Sequence, residues 1–378
     1  MAAPRNPPNR RKKKRSPAPS ADATAAPRSG TVALIGRPNV GKSTLLNAAL
    51  EQPLAIVSPT PQTTRDAILG VAHRGSAEIA LLDTPGLHRP RSELGRVMNQ
   101  TAREAARAAD IVVFITEMPD HPKKRADGTV PPLRPHPGDL TLLADIAADK
   151  PTILVVNKVD RYHDKARVLP LIEAFAKVRA FAAVVPISAL KEDGVLQVLD
   201  EIAALCPERA WRYAPDNLTD RPVRFFAAEY VREQILRATE AEVPHAAAVT
   251  VDRFVEPAEG TRGAVHIDAT ICVERPGQKR ILIGTGGEML KRIGTDARMR
   301  IQELTGRKVN LKLWVRVAPS WRQSTAQLEE LGYKSPKSSG ETVAIIEAES
   351  SAAPDLDEEA GDEAPDLDED ARSPEEAS

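Results

Sequence analysis

The stretch VALIGRPNVGKSTLLNAAL, residues 32–50, constrains this chain more than any other. An apolar run ends at Gly36, a short turn closes at Gly41, and a helical pattern begins with Lys42 and Ser43. Gly36, Gly41, Lys42 and Ser43 fit G-x-x-x-x-G-K-[ST], with Arg37, Pro38, Asn39 and Val40 between the glycines and Thr44 after them. Glycines let the backbone fold tightly enough for successive N–H groups to point inward at phosphate oxygens. The start of the helix adds its positive end. Lys42 is expected to reach the β- and γ-phosphates, and the Ser43 hydroxyl to bind Mg²⁺.

From this turn to about residue 205, strand-sized apolar runs alternate with helical patterns, the signature of an α/β fold with a mostly parallel sheet and helices on both faces. Strands are expected at 32–35, 68–72, 78–82, 111–116, 152–157 and 183–187, the second and third joined by a hairpin at HRGS. After a polar, Pro-containing linker the order changes to helix, strand, strand, helix, helix, strand, a smaller α+β domain. We divide the chain into a basic tail (1–29), the nucleotide domain (30–205), a linker (206–222), the second domain (223–334) and an acidic tail (335–378). Both tails lack the apolar content to offset chain entropy and are expected to be disordered. The formal net charge of −1 therefore hides two oppositely charged ends. The acidic end contains a short APDLDE repeat and reads as a solubilising tail, with masking of the basic second domain as the alternative. The basic start reads as a solvated tail, with a transit peptide as the alternative. The Pro-rich stretch EMPDHPKKRADGTVPPLRPHPGD reads as a long surface loop: a tolerated insertion, or a contact surface built on Lys123, Lys124, Arg125 and Arg134. Cys206 and Cys272 stand far apart in no metal-ligand spacing, which fits a reducing compartment. The histidines, His73, His88 and His136 among them, read as surface or loop residues, and Trp211, Trp314 and Trp321 as packing or linker anchors.

Phosphate binding does not choose a base, but NKVD (Asn157, Lys158, Val159, Asp160) does. It follows a strand, at the sheet edge where nucleotides bind. An Asp160 carboxylate can accept from both the N1–H and the exocyclic amine of guanine, a pair adenine lacks. Lys158 can lay its stem along the base. After the next strand, Ser188 and Ala189 bring a backbone N–H that can approach the guanine O6. Two more pieces complete the set. In DTPG (Asp83, Thr84, Pro85, Gly86), Asp83 can reach Mg²⁺ through water and the Gly86 N–H can bond the γ-phosphate. In PQTTRD, one of Thr63 and Thr64, preferentially Thr64, is expected to ligate Mg²⁺. Contacts through Thr64 and Gly86 exist only with a γ-phosphate, so both loops can relax on hydrolysis. Lys42, Thr64, Gly86 and Asn39 are the residues assigned to hydrolysis; Ser43, Thr64 and Asp83 are the metal ligands.

GRPNVGKS, PQTTRD, DTPG, NKVD and ISAL together resemble the motif set of the translation-factor-related GTPases that include the Era type. The resemblance implies GTP/GDP binding, Mg²⁺-dependent hydrolysis of GTP and, at the position of Asn39, a potassium ion; a loop-shaping asparagine is the alternative. Leu87 follows DTPG and cannot orient water as a glutamine would.

The second domain carries Gly284-Thr285-Gly286-Gly287, a G-x-x-G turn between KRILI and EMLKRI. Such a turn in a KH domain holds about four single-stranded nucleotides. Lys279, Arg280, Lys291 and Arg292 surround it with positive charge, and Ile281, Leu282, Ile283, Leu290 and Ile293 are expected to floor the groove. The element order resembles the type II KH domain of Era-type GTPases, as does SWRQSTAQLEELGY near residue 333. Gly286 stands where that family usually has a lysine. The resemblance implies a cytoplasmic monomer that binds small-subunit (16S-type) rRNA near its 3′ end, acts in 30S subunit assembly, and touches the inner face of the cell membrane peripherally. The competing reading is a GTPase whose second domain binds a protein or membrane surface. A metabolic nucleotide kinase has no use for NKVD.

Overall fold

The apolar runs of the first half assemble into one six-stranded sheet: β1 (Arg28–Ile35), β2 (Ile68–Arg74), β3 (Ala77–Asp83), β4 (Ile111–Glu117), β5 (Thr152–Asn157) and β6 (Ala183–Pro186), in the order β2-β3-β1-β4-β5-β6. Only β2 and β3 pair antiparallel, as the expected hairpin. Five helices cover the sheet: α1 (Lys42–Ala49), α2 (Glu93–Ala108), α3 (Pro137–Ala144), α4 (Leu169–Ala176) and α5 (Val195–Leu205). Val32, Leu34, Val113 and Ile115 pack with Leu45 and Leu46 of α1 and with Val198 and Ile202 of α5. Phe114 meets Phe175 of α4 at a ring-centroid distance of 6.4 Å. Burial on both faces explains why these strands read as continuous apolar runs rather than alternating ones.

The structure is a computed structural model that describes residues 26–333 except 59, 61–62, 121–132, 259–260 and 262. The basic stretch before residue 26, Lys123, Lys124, Arg125 and the acidic tail with its repeat lie outside the described residues. So does the second of two compact units, Glu341–Ser378; the first is Met1–Gly340. Among the described residues no helix is long and apolar enough to cross a membrane.

Two boundaries differ from the sequence reading. Strand β1 starts at Arg28, because the linker runs beside it: Ser29 N donates to Pro207 O at 3.1 Å. The Pro-rich loop ends early, because Pro137 supplies a preset first helical turn for α3, capped by His136 Nδ1 accepting from Gly138 N at 3.0 Å. The linker itself is fastened to the sheet, with Trp211 Nε1 donating to Ser76 O at 2.9 Å.

The second half consists of α6 (Val223–Ala238), α7 (Val243–Ala246), β7 (Ala248–Val255), β8 (Val265–Val273), α8 (Pro276–Ile283), α9 (Glu288–Thr305), β9 (Val309–Val317) and α10 (Thr325–Glu330), the expected elements with two short helices, α7 and α10, added. Strands β7 and β8 pair antiparallel, β8 and β9 parallel. Val231 and Ile235 of α6, Leu282 of α8, and Ile293 and Ala297 of α9 form its core with Ile271 and Val273. Leu282 and Ile293 are thus core residues rather than groove floor, and Ile281 is exposed. Trp321 is fully buried, but Trp314 is 49% exposed, a correction to its reading as a packing anchor. Trp321, Leu328 and Tyr333 join Leu94, Val97 and Met98 of α2 in one apolar cluster.

Candidate functional site

The loops that follow β1, β3, β5 and β6 lie at one edge of the sheet, beside a cleft of about 620 Å³. Twelve of the expected residues line it: Pro38, Asn39, Gly41, Lys42, Ser43, Thr44, Thr63, Thr64, Gly86, Asn157, Lys158 and Asp160. Val40, Asp83 and Thr84 are fully buried, and Thr84 Oγ1 donates to Leu34 O at 2.7 Å.

The turn is shaped as its sequence requires. Gly41 sits at φ +104°, and a Cβ there would lie 2.1 Å from Asn157 Nδ2. Lys42 Nζ donates to the carbonyls of Gly36 (3.1 Å) and Arg37 (3.0 Å). Burial pulls the Lys42 ammonium down to about 8, opposed by the nearby Asp83 carboxylate and aided by Arg37.

Ser43 Oγ donates to Asp83 Oδ2 at 2.6 Å, Thr64 Oγ1 donates to the same oxygen at 3.0 Å, and the two hydroxyls are 2.9 Å apart. The other carboxylate oxygen, Asp83 Oδ1, is buried with no partner among the described residues. Burial raises the Asp83 pKa, while Lys42 and the two hydroxyls oppose the rise. Three hard oxygen ligands with one unsatisfied carboxylate oxygen fit Mg²⁺ by donor chemistry. The structure also separates the two threonines: Thr63 Oγ1 donates away from this cluster, to Thr60 O at 2.8 Å.

The base-side residues divide into a ligand face and a brace. Asp160 lines the cleft, and among the described residues no side chain pairs with its carboxylate. Asn157 is 2% exposed and spent on the loops: Nδ2 donates to Val40 O at 2.8 Å, and Oδ1 accepts from Lys158 N at 2.8 Å and Ala189 N at 3.0 Å. The Ala189 N–H expected at the guanine O6 is therefore directed at Asn157. Ser188 Oγ accepts from Lys191 N at 3.3 Å, closing the following turn. Lys158 Nζ donates to Asn39 O at 2.6 Å and pairs with Glu117.

Glu117 and Asp139 were not legible as site residues. Asp139 is fully buried behind the turn, accepting from Arg37 Nε (2.8 Å) and Thr116 Oγ1 (2.8 Å). A buried acid opposite the one arginine of the turn holds the Arg37 side chain aside. Leu87 is buried, its N–H donating to Gly36 O at 3.3 Å.

The second candidate surface is a groove of about 370 Å³ beside the G-x-x-G turn, lined by Gly287, Leu290, Lys291, Gly294, Thr295, Arg298, Leu311 and Leu313. Gly284 (φ +74°), Gly286 (φ +60°) and Gly287 (φ +82°) make the turn that separates α8 from α9. Of the expected basic residues, Lys291 lines the groove; Lys279, Arg280 and Arg292 stand on the flanking helices, and Thr285 is exposed at the turn. Arg298 was missed, although Lys291, Gly294 and Arg298 fall at i, i+3 and i+7 on one helical face.

A phosphate turn, an acid lining the same cleft and a G-x-x-G groove on one chain define a guanine-nucleotide-binding protein with an appended nucleic-acid-binding fold. Family models agree with both halves: residues 31–158 match a 50S ribosome-binding GTPase model and residues 242–322 a KH domain model. GTPase Era of Lactobacillus delbrueckii subsp. bulgaricus is 42% identical over 310 residues, covering 82% of this chain and 97% of that protein. GTPase Era of Xanthomonas campestris pv. campestris is 43% identical over 311 residues, covering 82% and 99%. Among solved structures, a variant of Aquifex aeolicus Era bound to GDP and aluminium fluoride superposes with a TM-score of 0.73 at 36% identity, covering 81% of this chain and 99% of that one. An Era complex with MgGDPNP and nucleotides 1506–1542 of 16S ribosomal RNA gives the same TM-score at 35% identity, with the same coverage. The chain belongs to the Era family of GTPases.

Proposed function

We propose that this GTPase is a nucleotide-controlled binder of small-subunit rRNA near its 3′ end, acting in 30S subunit assembly. The observation that carries the enzyme half is the Ser43–Thr64–Asp83 oxygen cluster beside the Lys42 ammonium, in a cleft that Asp160 also lines. In this reading Lys42 and the Gly86 N–H hold the β- and γ-phosphates, residues 36–44 cradle the phosphate chain, and Asp160 reads guanine while Lys158 covers the base. Ser43, Thr64 and Asp83 are the Mg²⁺ ligands; Mg²⁺, when bound, neutralises charge between the β- and γ-phosphates. Thr64 and Gly86 report the γ-phosphate, and the family relatives bound to GDP with aluminium fluoride and to MgGDPNP support this nucleotide chemistry. Asn39, at φ +62° on the cleft wall, is the proposed potassium contact, checked by comparing turnover in potassium and sodium buffers.

The RNA half is supported by the groove beside the G-x-x-G turn and by the relative bound to a 16S rRNA fragment. Lys291 and Arg298 would contact phosphates there, with Lys279, Arg280 and Arg292 adding charge around the turn. Action in the cytoplasm as a monomer, with the basic N-terminal stretch touching anionic lipid, completes the reading. Gly287→Asp is the cleaner test variant, since nothing lies within 4 Å of an added Cβ, whereas a Cβ at Gly284 would meet Met289 Cβ at 2.8 Å. Binding of a 3′-terminal 16S rRNA oligonucleotide should fall on this substitution and show a shallower salt dependence. RNA binding unchanged in both respects would contradict the assignment.

A further inference from the structure

The segment that carries Thr64 is gripped from the KH side. Arg65 is 3% exposed, and its guanidinium crosses into the second half of the chain. There Nη1 donates to Ala247 O at 2.7 Å and to Tyr333 Oη at 3.3 Å, and Nη2 donates to His245 O at 3.2 Å and Pro244 O at 3.3 Å. The guanidinium carbon stands 5.7 Å from the centroid of the buried Trp321 ring. On the other side of Thr64, the carbonyl of Thr63 accepts from Arg232 of α6. Arg232 is 1% exposed and is held in turn by Glu229, Nε to Oε1 at 2.8 Å.

Three consecutive residues therefore have three different attachments. Thr63 is tied through its carbonyl to α6, Thr64 through its hydroxyl to Ser43 and Asp83, and Arg65 through its side chain to the end of α7. Planar peptides leave few soft torsions between them, so the place of the Thr64 hydroxyl depends on both neighbours. Ligand geometry of this kind is sensitive to displacements of about half an ångström. Burying two guanidinium groups is costly unless their donors are satisfied; Arg65 is met mainly by backbone carbonyls from the other half of the chain and Arg232 by Glu229 and the Thr63 carbonyl, while Arg65 Nε and Arg232 Nη1 are buried with no partner among the described residues. A plain structural strut would have no reason to bracket a residue assigned to sense the γ-phosphate.

We propose that Arg65 and Arg232 are positioning residues for GTP hydrolysis: the KH side holds the Thr63–Arg65 segment so that the Thr64 hydroxyl meets the metal, and the triphosphate state of the cleft is relayed to the KH side through the same two arginines. The inference rests on the reading of the cleft as a GTP site. Coupling of this kind is reciprocal in binding free energy, so RNA bound to the KH domain must favour the triphosphate by the same factor as the triphosphate favours RNA.

The test uses the full chain with Arg65→Met, Arg65→Lys and Arg232→Met. Dissociation constants for GDP and for a non-hydrolysable GTP analogue, turnover of GTP, and affinity for a 3′-terminal 16S rRNA oligonucleotide with each nucleotide would be measured. Affinity for the GTP analogue and turnover should each fall about tenfold, within the usual range of coupling between sites, while GDP affinity stays within about twofold. Arg65→Lys should recover part of the loss, and the dependence of RNA affinity on the nucleotide should vanish in Arg65→Met. In a Thr64→Ala background, adding Arg232→Met should cost little more, because both changes remove the same contact. Equal losses for GDP and the GTP analogue, additive losses with Thr64→Ala, or intact nucleotide-dependence of RNA binding would each overturn the proposal. If the methionine variants do not fold, Tyr333→Phe removes one acceptor of Arg65 and keeps the ring; a loss shared equally by both nucleotides would then overturn it. A parent chain that binds neither guanine nucleotide would overturn this inference together with the reading beneath it.

Discussion

Asn157 donates its side-chain Nδ2 to the Val40 carbonyl at 2.8 Å while its Oδ1 accepts the Ala189 N–H at 3.0 Å. One buried amide thus ties the phosphate turn to the loop that follows β6. Asn157→Ala would leave both backbone groups buried without partners, each at about 1–3 kcal/mol. GDP and GTP affinity should fall together, by about ten- to a hundredfold, as read by calorimetric titration. A loss confined to GTP would mean that the amide serves the γ-phosphate instead.

Asp160 lines the cleft and no side chain among the described residues pairs with it, so base choice should be rewritable at this one position. Guanine offers two donors to a carboxylate; xanthine replaces the exocyclic amine with a carbonyl oxygen. Asp160→Asn exchanges one acceptor for a donor and should weaken GDP binding by about a hundredfold while improving xanthosine diphosphate binding. Competition between the two nucleotides for the variant measures this directly. Unchanged preference would place base recognition elsewhere.

Legibility in the sequence followed locality. The turn at Gly36–Ser43, the six strands and the second domain's element order are written in short contiguous patterns, and the structure has them. What failed depends on which face a neighbour covers. Leu282 and Ile293 were assigned to the groove, but α8 and α9 turn them into the core, and Leu311 and Leu313 of β9 line the groove instead. Trp314 reads with the other tryptophans as a packing or linker anchor, yet β9 leaves alternate residues uncovered. Asp139 was hidden in a Pro-rich stretch whose last residues begin a helix. The grip of Arg65 on Ala247, just past α7, joins residues 182 positions apart, beyond any sequence pattern.

Lys42 gives a pH signature to nucleotide binding. In the nucleotide-free, metal-free protein burial lowers its ammonium to about 8. A phosphate chain favours the charged form and raises that value again. Between about pH 8 and the raised value, GDP binding must therefore take up a proton, and affinity must fall as pH rises. Titration of GDP in chelator at pH 8.5, in buffers of different ionisation enthalpy, should show proton uptake that is absent at pH 7. Buffer-independent heats at pH 8.5 would show that Lys42 is already fully charged.

Asp66 predicts a pH-dependent stability gain. Burial, then the nearby Glu229, pushes its carboxyl up to about 6, with Arg221, Arg232 and Arg65 pulling it back. An acid whose pKa is higher in the folded state binds more protons there than in the unfolded chain. Its favourable contribution is complete below the unfolded value near 3.8 and is lost as pH rises through about 6. At pH 7.5 the charged carboxylate therefore costs stability, about 2 kcal/mol once the partial exposure of the side chain is allowed for. Asp66→Asn should raise the melting temperature at pH 7.5 by several degrees and give almost no gain at pH 4. Measured in chelator without nucleotide, an equal gain at both pH values would trace the effect to packing rather than to charge.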